Sequence, residues 1–265
     1  MESRKTTPSN RQGISQTQVT ATGEGQPQPT CDTRIRSRWK RTAVIASLAL
    51  AATSCTSESP DRSNSDSCGS VRTSQEGELV QQLLGTSEYK TTTFNTDSDL
   101  SEKLSEKLQA QKPDGTTSTV QACAFSPKIR KTSGGETLHV EFSWTPRASP
   151  EKWGRAADGA SYYNLNDVPG ESDETLSRLR VECNLPGELN ESSKQAILQA
   201  ESSNTAYTGD KADKNVRDRQ ITFLYFMTRK ATEALGCENN PLKEDPAVKA
   251  YSTPEEAAQA GNQSG

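Results

Sequence analysis

Histidine is nearly absent from this chain: 265 residues contain one, His139, so a catalytic or zinc site built from several imidazoles is excluded. Cysteines never occur as Cys-x-x-Cys, which removes the usual zinc-ribbon and thioredoxin signatures. There is no Gly-x-Ser-x-Gly nucleophile elbow, no Gly-Lys-Ser/Thr phosphate loop and no Gly-x-Gly-x-x-Gly turn. Positive charge is outnumbered beyond the first part of the chain. Residues 1–54 carry 8 Lys/Arg against 3 Asp/Glu, so the whole-chain charge of −4 leaves −9 for residues 55–265. Such a body lacks the clustered cations that phosphate backbones require, which argues against nucleic acid, and it gains nothing from anionic lipid.

Long hydrophobic runs are also missing. The apolar stretch from Thr42 to Ser54 has 13 residues, whereas crossing hydrocarbon takes about 20. It follows five basic residues (Arg34, Arg36, Arg38, Lys40, Arg41) and ends in small residues and Cys55. Basic, apolar, small, cysteine is the order of an export signal. Leu50-Ala51-Ala52-Thr53-Ser54-Cys55 resembles the lipobox of bacterial lipoproteins, although Ala52 stands where leucine is usual. The expectation is cleavage before Cys55, acylation of its thiol and attachment to the extracytoplasmic face of a membrane. Two other outcomes stay open: cleavage by ordinary signal peptidase to a secreted protein, or retention of the segment as an anchor. Residues 1–33, rich in Ser, Thr, Gln, Pro and Gly, cannot bury enough surface to order themselves. They read as a disordered extension or as sequence upstream of the true start.

Residues 56–67 contain no apolar side chain and form a solvated tether. The folded body is expected over 68–240, with residues 241–265 as a flexible tail in which Thr253-Pro254-Glu255-Glu256 has the form of a capping box. Setting aside Cys31 and Cys55, four cysteines remain: Cys68, Cys123, Cys183 and Cys237. In an exported domain these make two disulfides, and three connectivities are open. The preferred one, Cys68–Cys123 with Cys183–Cys237, closes two loops of over fifty residues, each worth roughly 4 kcal/mol in the chain-entropy picture.

Apolar spacing predicts helices over 74–84, 97–111 and 215–235, the last being the densest apolar segment. Strands are predicted over 89–94 (at an edge), 120–125, 137–145 and 176–185, with Leu138, Val140, Phe142 and Trp144 alternating against His139, Glu141 and Ser143. A shift of 60 residues lays Leu138-His-Val-Glu-Phe-Ser over Leu198-Gln-Ala-Glu-Ser-Ser, so 195–203 reads as a strand and two related half-units are expected. The fold class is therefore α+β: an antiparallel sheet packed with a few helices and stapled by disulfides.

Residues 146–175 read as a long loop, and its aromatics Trp153, Tyr162 and Tyr163 are the candidate binding residues. The alternative is that they fold back onto the core. His139 and Glu141 share one strand face about 7 Å apart, which invites acid–base chemistry but supplies neither nucleophile nor second imidazole. No cofactor or metal is expected. The leading functional expectation is a non-enzymatic binding or interaction module for an extracytoplasmic protein or small ligand. The alternative is an extracytoplasmic carboxylate-based hydrolase.

An Ala-rich leader ending near Cys55, a polar tether, Cys68-Gly69, a Trp-ended strand after Cys123 and Leu235-Gly236-Cys237 together resemble the secreted or lipid-anchored proteins of unknown function common in actinobacteria. That resemblance implies location and architecture and carries no catalytic residues.

Overall fold

The computed structural model describes residues 66–129, 135, 137–147, 160–173, 175–206 and 214–261. The leader, Cys55 and Trp153 lie outside these residues.

After a 3-10 turn (Gly69–Thr73), helix α1 (Gln75–Leu84) buries Val80, Leu83 and Leu84. It ends at Gly85, whose φ of 63° is the left-handed conformation glycine adopts without strain. Strand β1 (Tyr89–Thr93) leads to α2 (Asp97–Gln109), where Thr96 and Asp99 close a reciprocal capping box and Leu100, Leu104 and Leu108 form the buried stripe. Strands β2 (Val120–Pro127) and β3 (Leu138–Pro146) follow. The chain continues through β4 (Ser161–Leu165), β5 (Val168–Ser172), β6 (Leu176–Val181), the short α3 (Asn190–Lys194) and β7 (Ala196–Asn204). The long α4 (Lys214–Leu235), β8 (Val248–Tyr251) and α5 (Pro254–Gly261) complete it.

The eight strands of the described residues join one antiparallel sheet in the order β1-β2-β3-β7-β6-β5-β4-β8. Helices α1, α2 and α4 lie on one face of it. Asn204 donates to the Leu83 carbonyl of α1, Trp144 Nε1 to the Leu104 carbonyl of α2 at 2.9 Å, and the Phe125 and Phe223 rings meet edge to face at 5.8 Å. A Cβ at Gly170 would lie 2.8 Å from a Leu179 methyl and 3.1 Å from Ile221, so glycine is what lets α4 approach β5. Helix α4 is buried on several sides because the sheet lies beneath it and α1 and α2 lie beside it.

The α+β class, the antiparallel sheet and the two disulfides are as the sequence indicates. Cys68 bonds Cys123 and Cys183 bonds Cys237, with Cα separations of 5.9 and 5.1 Å. β3 and β7, matched by the 60-residue shift, pair directly at the sheet centre and set Glu141 opposite its counterpart Glu201. The sheet is nevertheless continuous, with three strands on one side of that junction and five on the other, so the halves are unequal.

Two expectations are corrected. Residues 146–175 are not one loop, since they contain the β4–β5 hairpin. Leu165 pairs Val168 across Asn166 and Asp167, whose φ values of 52° and 66° are those of a two-residue type I′ turn. The polar segment after residue 240 also extends the body as far as Gly261. β8 pairs with β4, and α5 buries Ala257.

Candidate functional site

Strands alternate, so a sheet that packs helices on one face presents every second residue on the other. On the helix-free side of the central strands stand His139, Glu141, Gln199, Glu201, Arg178 and Arg180, none of which joins the hydrophobic core. Register places three of these, Glu141, Glu201 and Arg178, in one line with four residues of the other strands. Gln121 on β2 faces Glu141 on β3, and Glu141 faces Glu201 on β7. Glu201 then faces Arg178 on β6, Arg178 faces Glu171 on β5, and the line ends with Tyr162 on β4 and Tyr251 on β8. The row crosses every strand except β1.

Arg178 is held between two carboxylates. Its Nε donates to Glu201 at 2.7 Å and its Nη1 to Glu171 at 3.2 Å. Glu171 is 3% exposed, so that ion pair is shielded from solvent. Glu141 differs from both: among the described residues no Lys or Arg lies within ion-pair distance of it. Partial burial and the facing Glu201 carboxylate raise its carboxyl above the ordinary range, against smaller opposing effects of Thr119 and His139. Directly opposed like charges destabilise a sheet, and here they persist at its centre. At the other end, α5 covers the row: Asn164 Nδ2 donates to the Ala257 carbonyl at 3.3 Å. The Tyr162 hydroxyl has its pKa raised by burial, and further by Glu171 and Glu255.

The residues anticipated from sequence divide. Tyr162 belongs to the row and is half-buried. Tyr163, one position on, points to the opposite face and is fully buried. Its hydroxyl donates to Asp218 at 3.0 Å, and burial together with that carboxylate raises its pKa strongly. Tyr163 therefore belongs to the core, because the hairpin puts successive side chains on opposite faces. Cys55 and Trp153 lie outside the described residues. His139 and Glu141 do share a face, and His139 Nε2 lies 2.7 Å from the Thr137 hydroxyl. Cys68, Cys123, Cys183 and Cys237 are all disulfide-bonded.

Sequence reasoning missed Gln121, Glu171, Arg178, Glu201 and Tyr251. Their only signal is being the polar alternates of strands, which reads as an ordinary solvated face until the strand order is known.

Chemically, the row combines carboxylate acceptors, a guanidinium paired with two carboxylates, and phenolic hydroxyls. It suits a ligand bringing its own donors, such as hydroxyls, amides or an amine. Among the described residues no group of three or more His, Cys, Asp or Glu could hold a metal ion, and no helix is long and apolar enough to cross a membrane. No protein family, curated protein or solved structure matches the chain.

Proposed function

We propose that this chain is an exported, non-enzymatic binding module, held by an acylated Cys55 at the extracytoplasmic face of a membrane. Its ligand lies along the face of the sheet opposite α1, α2 and α4, in the part that α5 leaves uncovered. The observation that carries the binding assignment is the in-register row from Gln121 to Tyr251, in which Glu141 faces Glu201 with no cation of its own while Glu201 is paired with Arg178. A purely structural face would place a cation opposite Glu141, as it places Arg178 opposite Glu171. The two disulfides support the address, since such bonds persist in oxidising compartments. The ligand class that fits is a hydroxyl- or amide-rich chain donating to carboxylates and stacking on Tyr162 and Tyr251.

Two experiments test this reading. Cys55→Ser should release the protein from membranes, and intact mass should show loss of the lipid. A variant that fractionates and weighs as the wild type sinks the anchor. For the binding face, an array of soluble oligosaccharides and peptides is probed with the protein and with a Gln121→Ala/Glu141→Ala/Tyr162→Ala variant. Signal lost only in the variant supports the assignment, and equal signal removes it.

One observation favours a second reading as a carboxylate hydrolase: paired carboxylates with one proton affinity raised suit acid–base work. A hydrolase substrate panel decides this. Turnover abolished by Glu141→Gln and by Glu201→Gln would make the site catalytic and displace the binding-only reading.

A further inference from the structure

At the opposite edge of the helical layer, where α2 ends and β3 runs out, a second concavity of about 440 Å³ opens. Its floor is apolar: Leu108 is 2% exposed and Pro146 is buried. Its rim carries Lys112, Arg147 and Lys194, and no carboxylate lines it among the described residues. Three cations without a lining anion run against a body whose net charge is −9.

Local contacts explain why the cations stay there. Arg147 is fixed by the backbone of Lys194 and Gln195: its N–H donates to the Gln195 carbonyl at 2.8 Å, and its Nε to the Lys194 carbonyl at 2.8 Å. Nη1 binds Glu182, which leaves the Nη2 donors unengaged among the described residues. Lys194 pairs with Glu191 at 3.0 Å on the surface, an exposed contact that holds little energy. Lys112 has no anionic partner among the described residues. The carbonyl end of α2 also faces this region and disfavours anions, but with a partial charge of only about half a unit.

We infer that this cleft binds a small organic anion, its carboxylate or phosphate held by Arg147, Lys112 and Lys194 and its apolar part resting on Leu108 and Pro146. A preset guanidinium beside two flexible ammonium groups is an effective combination for such anions, because the fork supplies geometry and the lysines supply charge. The floor then discriminates: an anion carrying an alkyl chain gains apolar burial that inorganic phosphate does not. This site is separate from the sheet-face row and does not rest on the function proposed for it.

Titration of the full chain followed by ¹⁵N–¹H correlation spectra tests the inference, with sodium hexanoate, sodium acetate, inorganic phosphate and neutral hexanamide as probes. Saturable shifts confined to residues 109–112, 147 and 194–195 are expected with hexanoate, with a dissociation constant on the order of 1 mM. Acetate should bind more weakly for want of the alkyl chain, and hexanamide more weakly for want of charge. Phosphate shifting the same amides would widen the class to phosphate esters, and phosphate without effect would restrict it to carboxylates. Lys112→Glu/Lys194→Glu should weaken hexanoate by at least about tenfold. If that variant is misfolded by its spectrum, Lys112→Gln/Lys194→Gln, which introduces no repulsion, serves in its place. Hexanamide binding as tightly as hexanoate, unchanged affinity in the folded variant, or absence of saturable shifts would each overturn the site.

Discussion

The two faces of the sheet come from the same eight strands, yet they obey different rules. Phe142 and Trp144 on β3 are buried against helices, and their exposures of 1% and 0% leave no room for change. Between and beside them, Glu141 and Ser143 point the other way, and there Glu141 can oppose Glu201 without a mediating cation. On the helix face, shape decides which residue is allowed. On the open face, charge does, and solvent softens the penalty. A site can therefore be built on the open face with little loss of stability.

The comparison breaks first at Trp144. Trp144→Ala removes the largest buried side chain among the described residues, together with its hydrogen bond to the Leu104 carbonyl. It should cost about 3–5 kcal/mol in denaturant unfolding with disulfides intact. Gln199→Ala, on the adjoining strand but the open face, should stay within about 0.5 kcal/mol. Equal losses would mean that the two faces are not distinct.

Arg178 tests the exception, since Glu171 beside it is buried on the open face. Arg178→Met should destabilise by about 2–3 kcal/mol by removing the guanidinium from a shielded carboxylate. Adding Glu171→Gln should restore part of that loss. No restoration would show that the arginine acts by packing its stem.

Neighbouring tyrosines give a smaller contrast. Tyr163→Phe deletes the bond to Asp218 and should cost about 1.5 kcal/mol. Tyr162→Phe, one residue away on the other face, should be neutral in the same melt.

The smallest effect belongs to Glu141, and it depends on pH. Its carboxyl is raised in the fold, so the folded state holds that proton more tightly than the unfolded state. Stability from this group is therefore fully present below the ordinary carboxylate range. It is lost as pH rises from that range through the raised folded value. Glu141→Gln should flatten this part of the pH–stability curve and at neutral pH stabilise by up to about 1 kcal/mol. An unchanged slope would remove Glu141–Glu201 repulsion from the account.

Much of the helix face was legible in sequence. The leucine stripe of α2, the apolar density of α4 and the alternation of β3 all carry local signals that the fold keeps, whereas the cysteine count indicated two disulfides and left their pairing open. The β4–β5 hairpin was not read, because Gly, Ser, Asp and Pro around it resemble a loop. Asn166-Asp167 between Leu165 and Val168 was the missed turn signal. The row on the open face was hidden for a different reason. Gln121, Glu141, Glu201, Arg178 and Glu171 become neighbours only through strand order, and register is a non-local property that no window of residues contains.

The Cys68–Cys123 bond has a mechanical consequence. Traction applied to the chain on the N-terminal side of Cys68 reaches that sulfur and crosses directly to β2, the second strand of the sheet. The 54 residues between the two cysteines, including α1, β1 and α2, then form a loop in parallel with a covalent bond and carry almost no tension. In a protein held by its N-terminal side, load would bypass those elements and be borne by β2 and its hydrogen bonds to β3. Reducing that one bridge would put α1, β1 and α2 in the line of force, and they would be the first elements to peel away.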